Sequence, residues 1–169
     1  DLMAAQTVQN ALIAENLSQA EQFWRMREQI SAAQKAQGKN IKHDVSVPIS
    51  AIAQFIEQTD VALAQKYHGI QTVVFGHIGD GNVHFNVSAG RAFANPDALM
   101  AHESVINQMV YEHVQVFNGS ISAEHGIGLL KRELMNSIKS NVELQTMRAI
   151  KHALDPHNRM NPHKIFSDS

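Results

Sequence analysis

The sequence predicts an α+β domain in which helices flank an antiparallel sheet. Two runs rich in β-branched residues, Ile70 to Ile78 and Val83 to Val87, meet across Gly79-Asp80-Gly81-Asn82, a strong hairpin signal. Apolar residues at helical spacing precede and follow that pair, giving the order ααβαββαβαα. At 169 residues, 44% apolar and 18% charged, the chain is long enough to bury one core and too mixed for disorder or membrane spans.

Leu2, Ala5, Val8 and Leu12 recur at steps of three and four and predict an opening helix that ends near Asn16. Ser18 is the expected N-cap of a second helix, with Phe23, Trp24, Met26 and Ile30 on a broad apolar side and Gly38 at its end. Lys42 to Val47 reads as a short strand stopped by Pro48. Ser50 then opens a helix with Ile52, Phe55, Ile56 and Leu63 on one face, closed by Gly69. Beyond the hairpin, Asn95-Pro96 leads into a long helix from about Asp97 to Val116 that carries Leu99, Val105, Ile106, Met109 and Val110 and stops at Asn118-Gly119. Ile121 to Ala123 is read as a short strand, and two helices of roughly 10 residues fill most of Leu129 to Leu154. No repeat, linker or low-complexity tract interrupts the pattern, so a single domain over 1–169 is expected.

Fourteen Lys and Arg against sixteen Asp and Glu leave a net charge of -2, which argues against a nucleic-acid surface or a polybasic membrane patch. Without Cys there is no disulfide, no thiolate nucleophile and no Cys-based metal site. A metal would have to use His and carboxylates. Ten His make that chemistry worth following. No secretory or transit segment is visible before the first helical pattern, so the expected location is cytoplasmic and the chain reads as a piece of something longer.

Asp80-Gly81 suits a two-residue type I′ turn, which sets Ile78 opposite Val83, His77 opposite His84 and Phe75 opposite Asn86. Directly opposed residues share a sheet face with Cβ atoms ~4.5–5.5 Å apart, so one metal ion can span the two imidazoles. A solvated outer face bearing two exposed His explains the pattern equally well. Ser122-Ala123-Glu124-His125-Gly126-Ile127-Gly128 offers a third ligand beside two glycines that let the backbone approach a site. Two His and a carboxylate leave coordination positions open, as in catalytic zinc, iron or manganese sites. For Glu124 the alternative is a carboxylate at a helix N-terminus. His102 and His113 share a helix face but lie ~16 Å apart. His43, His68, His152, His157 and His163 read as surface or helix-end residues.

Gly76-His77-Ile78-Gly79-Asp80-Gly81-Asn82-Val83-His84-Phe85-Asn86-Val87, the Ser122 to Gly128 segment, Asp155-Pro156 and Asn161-Pro162 together resemble the C-terminal domain of FAD-linked 2-hydroxy-acid dehydrogenases of the vanillyl-alcohol oxidase superfamily. The likeness extends through Trp24-Arg25-Met26-Arg27-Glu28 and Lys42-His43-Asp44-Val45-Ser46-Val47-Pro48, and is greatest to the D-2-hydroxyglutarate branch, with D-lactate and glycolate dehydrogenases as relatives. It implies a ferredoxin-like portion of the substrate cap over a flavin that another domain of the same polypeptide holds. It also implies that His77, His84 and Glu124 bind a divalent metal, usually zinc, and that His125 takes the substrate hydroxyl proton. Arg27, Ser31 and Lys42 would clamp a substrate carboxylate, Asn86 would point at the substrate, and Asn161 would contact FAD. Arg27 and Ser31 stand at i and i+4 of one expected helix, where a guanidinium can grip a carboxylate with two hydrogen bonds. His43 departs from the branch, which often has Tyr there, and so bears on substrate identity.

The expected function is thus oxidation of a D-2-hydroxy acid to the 2-oxo acid, by proton abstraction and hydride transfer to flavin. This chain has no glycine-rich dinucleotide fingerprint of its own, so by itself it is expected to be inactive. Two alternatives stand beside it: a self-sufficient His/His/Glu metal enzyme, either a hydrolase or a non-haem iron oxygenase, and a non-catalytic interaction module. A small-molecule substrate is the expected partner, and a homodimer is the assembly to test.

Overall fold

The computed structural model describes residue 8 and residues 10–166, and the chain divides into two compact units, Asp1–Lys39 and Asn40–Ser169. In the first unit, α1 spans Leu17–Glu28 and α2 spans Ile30–Ala36. The N-cap is Asn16 rather than Ser18, because the Asn16 side chain accepts the Gln19 N–H at 3.0 Å. Residues 10–16 are not helical. About half of the expected opening helix, including Leu2 and Ala5, lies outside the described residues. The expected second helix is broken at Gln29, and α1 buries none of its side chains, so the apolar side built from Phe23, Trp24 and Met26 stays largely in solvent.

In the second unit, alternation in the sequence becomes a two-faced sheet. Strands β1 (Ile41–Ser46), β2 (Gln71–His77) and β3 (Asn82–Ser88) lie in the order β1-β3-β2, all neighbours antiparallel. Helix α3 (Ile52–Lys66) joins β1 to β2, while α4 (Pro96–Met100) and α5 (Glu103–Val116) follow β3. The chain returns to the free edge of β1 with a single antiparallel bridge, Ser46 to Ser120. This is the split β-α-β layout of a ferredoxin-like fold with its fourth strand reduced to one residue pair. The expected strand at Ile121 to Ala123 does not form. After it come α6 (Arg132–Ile138) and α7 (Asn141–Leu154), the latter started by a reciprocal capping box between Ser140 and Glu143. Among the described residues no helix is long and apolar enough to cross a membrane.

Ile41, Val45, Val83, Phe85 and Val87 point to one side of the sheet, where α3 supplies Phe55, Thr59 and Leu63 and α5 supplies Ile106, Val110 and Val114. Each helical set recurs at three or four residues, which is why both helices lie with one stripe against the strands. His43 belongs to this apolar face. It is 1% exposed, not a surface residue, and its Nδ1 and Nε2 lie 2.8 Å from Phe85 O and Asn107 Oδ1. Burial, partly offset by those two bonds, brings its pKa down to about 4. The long helix expected over Asp97 to Val116 breaks at Ala101-His102, leaving His102 outside α5 with its ring 5.4 Å from Tyr67 and 5.0 Å from Phe93. His68, His152, His157 and His163 are exposed, as expected.

Candidate metal centre and active-site face

The hairpin register differs from the expectation. Residues 78–80 form a 3₁₀ turn and Gly81 takes φ 76°, so the loop is four residues long and pairs His77 with Asn82 and Phe75 with His84. A side chain on Gly81 would meet Val47 O at 2.3 Å, and Gly81 O accepts the Val47 N–H at 3.0 Å, which locks the turn against the end of β1. The slip moves each pairing by two positions. Strand side chains alternate with a period of two, so both His still share one face, now as diagonal neighbours.

Three cross-strand rows make up that face. Ser46, Asn82 and His77 form the first row, Asp44, His84 and Phe75 the second, and Lys42, Asn86 and Val73 the third. Above them runs the irregular segment after Ser120. Glu124 stands in this loop, not at a helix N-terminus, and its Oε1 lies 3.4 Å from His77 Nδ1 and 3.8 Å from His84 Nε2. A donor atom from each of the three lies within 4.8 Å of the others. Tetrahedral zinc with bonds of about 2.0–2.1 Å separates its ligands by roughly 3.3 Å, so the set fits such an ion after small side-chain adjustments. Asn82 Nδ2 donates to Glu124 Oε1 and lies 3.3 Å from His77 Nδ1, bridging two of the three. Buried Asn82 Oδ1 and Asp44 Oδ1 have no hydrogen-bond partner among the described residues, as expected around a centre whose bonding is incomplete.

Asp44 is the residue that sequence reasoning missed. It is 4% exposed, and its Oδ2 accepts the main-chain N–H of His125 at 2.8 Å and of Glu124 at 3.0 Å. Burial pushes this carboxyl up, but those N–H groups and the nearby His125 and Lys131 charges outweigh it and hold the pKa below the ordinary value. Lys131 Nζ donates to Ile121 O at 2.6 Å and to Asp44 O at 3.3 Å, tying the start of the loop to β1. Burial draws its own pKa down, in part offset by Asp44. Period two from Lys42 places Asp44 on the site face, and Asp is uncommon in strands, so a signal was present. Gly126 and Gly128 take φ 73° and 57° with open space where a side chain would stand, so they serve the turn, not a close approach.

His125 is 70% exposed, with Nδ1 3.7 Å from Asp44 Oδ2 and its ring 6.4 Å from that of His84. Lys42 and Asn86 are cross-strand partners on the same face, and Lys42 also lines a cavity of about 720 Å³ with Asn107, Tyr111 and Lys131. None of His77, His84 and Glu124 lines that cavity; the two His stand on the sheet and Glu124 in the loop above it. Arg27 is in α1 and Ser31 in α2, on either side of the break at Gln29, so they do not share one uninterrupted helix.

The family described as FAD linked oxidases, C-terminal domain, matches residues 1–165. The chain belongs to that family. A D-2-hydroxyglutarate dehydrogenase of Xanthomonas citri pv. viticola is 44% identical over 159 residues, covering 94% of this chain and 33% of that protein. One from Stutzerimonas stutzeri is 36% identical over 165 residues, covering 95% and 34%. The mitochondrial D-2-hydroxyglutarate dehydrogenase of Arabidopsis thaliana is 36% identical over 163 residues, covering 96% and 27%. The chain thus spans about a third or less of the length of these relatives. At the far end of this FAD-linked oxidase domain, Asp155 accepts the N–H groups of Arg159 and Met160 at 2.8 Å each and pairs with Lys151. That clamp fixes the stretch leading to Asn161, which sits exposed in a turn at φ 49°.

Proposed function

We propose that this chain is the substrate- and metal-binding part of an FAD-dependent oxidoreductase that converts a D-2-hydroxy acid, D-2-hydroxyglutarate foremost, to the 2-oxo acid. The observation that carries the reading is the convergence of His77, His84 and Glu124 beside His125 on one sheet face of a domain from this family. His77 is 59% exposed, Glu124 46% and His125 70%, which supports completion of the site by an FAD-binding domain of the same polypeptide.

In this reading His77, His84 and Glu124 hold a divalent metal, best matched by zinc, and Asn161 contacts the FAD. When bound, the metal polarises the substrate hydroxyl and the flavin takes the Cα hydride. Arg27, Ser31 and Lys42 bind substrate carboxylates, Asn86 orients the substrate from the row beside His84, and His125 accepts the hydroxyl proton. Asp44 Oδ2 lies 3.7 Å from His125 Nδ1, where positive charge arrives with that proton.

The test is metal content beside single-turnover flavin reduction in the full-length enzyme. His84→Ala should lose metal and activity together. His125→Ala should keep its metal and slow flavin reduction by roughly 10²–10⁴-fold, the usual worth of general base catalysis. A metal-free His125→Ala beside a fully loaded His84→Ala would reverse the two assignments, and turnover by the chain without any flavin would replace the reading with a self-sufficient metal enzyme.

A further inference from the structure

The His84 ring lies between two carboxylates. Its Nε2 is 3.8 Å from Glu124 Oε1, and its Nδ1 is 3.8 Å from Asp44 Oδ1. Asp44 Oδ1 is buried and lacks a hydrogen-bond partner among the described residues, while Asp44 Oδ2 is occupied by the N–H groups of Glu124 and His125 and by Ser122 Oγ at 3.4 Å. A neutral imidazole carries one N–H. If Nε2 gives its lone pair to a cation, Nδ1 must hold the proton, and Asp44 Oδ1 is the acceptor it faces.

We propose that Asp44 is the positioning residue of this centre: Oδ1 takes the Nδ1–H of His84 and fixes its tautomer, while Oδ2 holds the main chain that carries Glu124 and His125. The assignment rests on the metal reading above and deepens it. Closing the Nδ1 to Oδ1 gap of 3.8 Å to an ordinary hydrogen bond of about 2.8–3.0 Å needs about 1 Å of movement and satisfies the orphaned oxygen. Ligating His residues commonly give their second N–H to a carboxylate or carbonyl in this way, and removing that partner weakens metal binding by about 10–100-fold. The same carboxylate also joins the strand to the loop, with Lys131 bracing the joint through the carbonyls of Asp44 and Ile121.

Asp44→Asn separates the two tasks. The amide oxygen can still accept the N–H groups of Glu124 and His125, but its NH₂ then faces His84 Nδ1 and favours the tautomer whose Nε2 is protonated and unable to bind an ion. Zinc affinity measured by chelator competition should fall about 10–100-fold in Asp44→Asn. His84→Ala, which lacks a ligand, should lose more. Hydrogen exchange at the Glu124 and His125 amides should remain slow in Asp44→Asn and become fast in Asp44→Ala. ¹⁵N spectra of the unsubstituted zinc-loaded protein should show His84 protonated at Nδ1, a signature that does not depend on any variant folding. Protonation at Nε2 there, or unchanged zinc affinity in Asp44→Asn, overturns the proposal while the metal centre stands. Loss of one of two bound zinc ions in Asp44→Asn also overturns it, since Asp44 would then be a ligand. If the unsubstituted protein shows no zinc binding that His84→Ala abolishes, the metal reading fails and the positioning role falls with it.

Discussion

On one face of the sheet His43 is 1% exposed with a partner 2.8 Å from each ring nitrogen; on the other, Asp44 keeps a buried oxygen that has no partner among the described residues, 3.8 Å from His84. Adjacent residues of β1 thus serve opposite purposes. Where each ring nitrogen has a protein oxygen within hydrogen-bond distance, the imidazole is part of the core, and its ability to ionise is suppressed by burial. Where donors and acceptors converge without completing one another, the arrangement suits a ligand. Bonding completeness, more than exposure or residue type, separates the core His from those that face the candidate site.

The largest effect expected from this contrast is on acid stability. With the His43 pKa at about 4 in the folded chain and ~6.5 when unfolded, the unfolded state takes up a proton between those values that the folded state refuses. The contribution is full above about pH 6.5 and is lost as pH falls to about 4, by about 3 kcal/mol. Urea unfolding midpoints measured across that window should show the slope, and His43→Gln should remove it. A slope that survives in His43→Gln belongs to other groups.

One residue back, Lys42 faces the other way. In the full-length enzyme, Lys42→Ala and Arg27→Ala should each lower kcat/KM for dicarboxylic 2-hydroxy acids by roughly 10- to 100-fold, the worth of one charge-assisted hydrogen bond, with a smaller loss for monocarboxylic ones. Stability should hardly change. Equal losses for D-lactate and D-2-hydroxyglutarate would detach both residues from a second carboxylate.

The remaining effect concerns the turn that sets the rows of the site face. Gly81→Ala places a Cβ at φ 76°, a backbone strain of about 1–2 kcal/mol, and 2.3 Å from the main-chain Val47 O, a clash that adds to it. Thermal unfolding should register that loss, and weaker zinc binding should accompany it because His77 and Asn82 lie next to the turn. Unchanged thermal stability would show that the 78–81 loop relaxes without cost.

Much of this was legible from residue order. The β2 and β3 runs, their antiparallel pairing and the shared face of His77 and His84 follow from alternation and the glycine-rich turn. The register did not, because Asp80-Gly81 suits a two-residue turn as well as the longer one that forms; the face survived since a shift of two preserves parity. His43 was misread because its neighbours Lys42 and Asp44 make the strand look solvated, although Ile41, His43 and Val45 already mark an inward set. Asp44's role could not be seen locally: its partners Glu124 and His125 are 80 and 81 positions away. The break at Ala101-His102 had no proline or glycine to announce it.

The single bridge between Ser46 and Ser120 bears on how this domain tolerates mutation. A full fourth strand would be held by a ladder of main-chain bonds, which are nearly indifferent to side-chain identity and so spread the risk of substitution over several positions. Here the ladder stops after one pair, and the segment that follows is fastened by a carboxylate on β1 and an ammonium from the start of α6. Dependence is concentrated in two side chains, Asp44 and Lys131. Variation that a strand edge would absorb should therefore be poorly tolerated at these two positions, while Ile121, which Lys131 holds through its carbonyl, can change to any side chain that keeps the core packing.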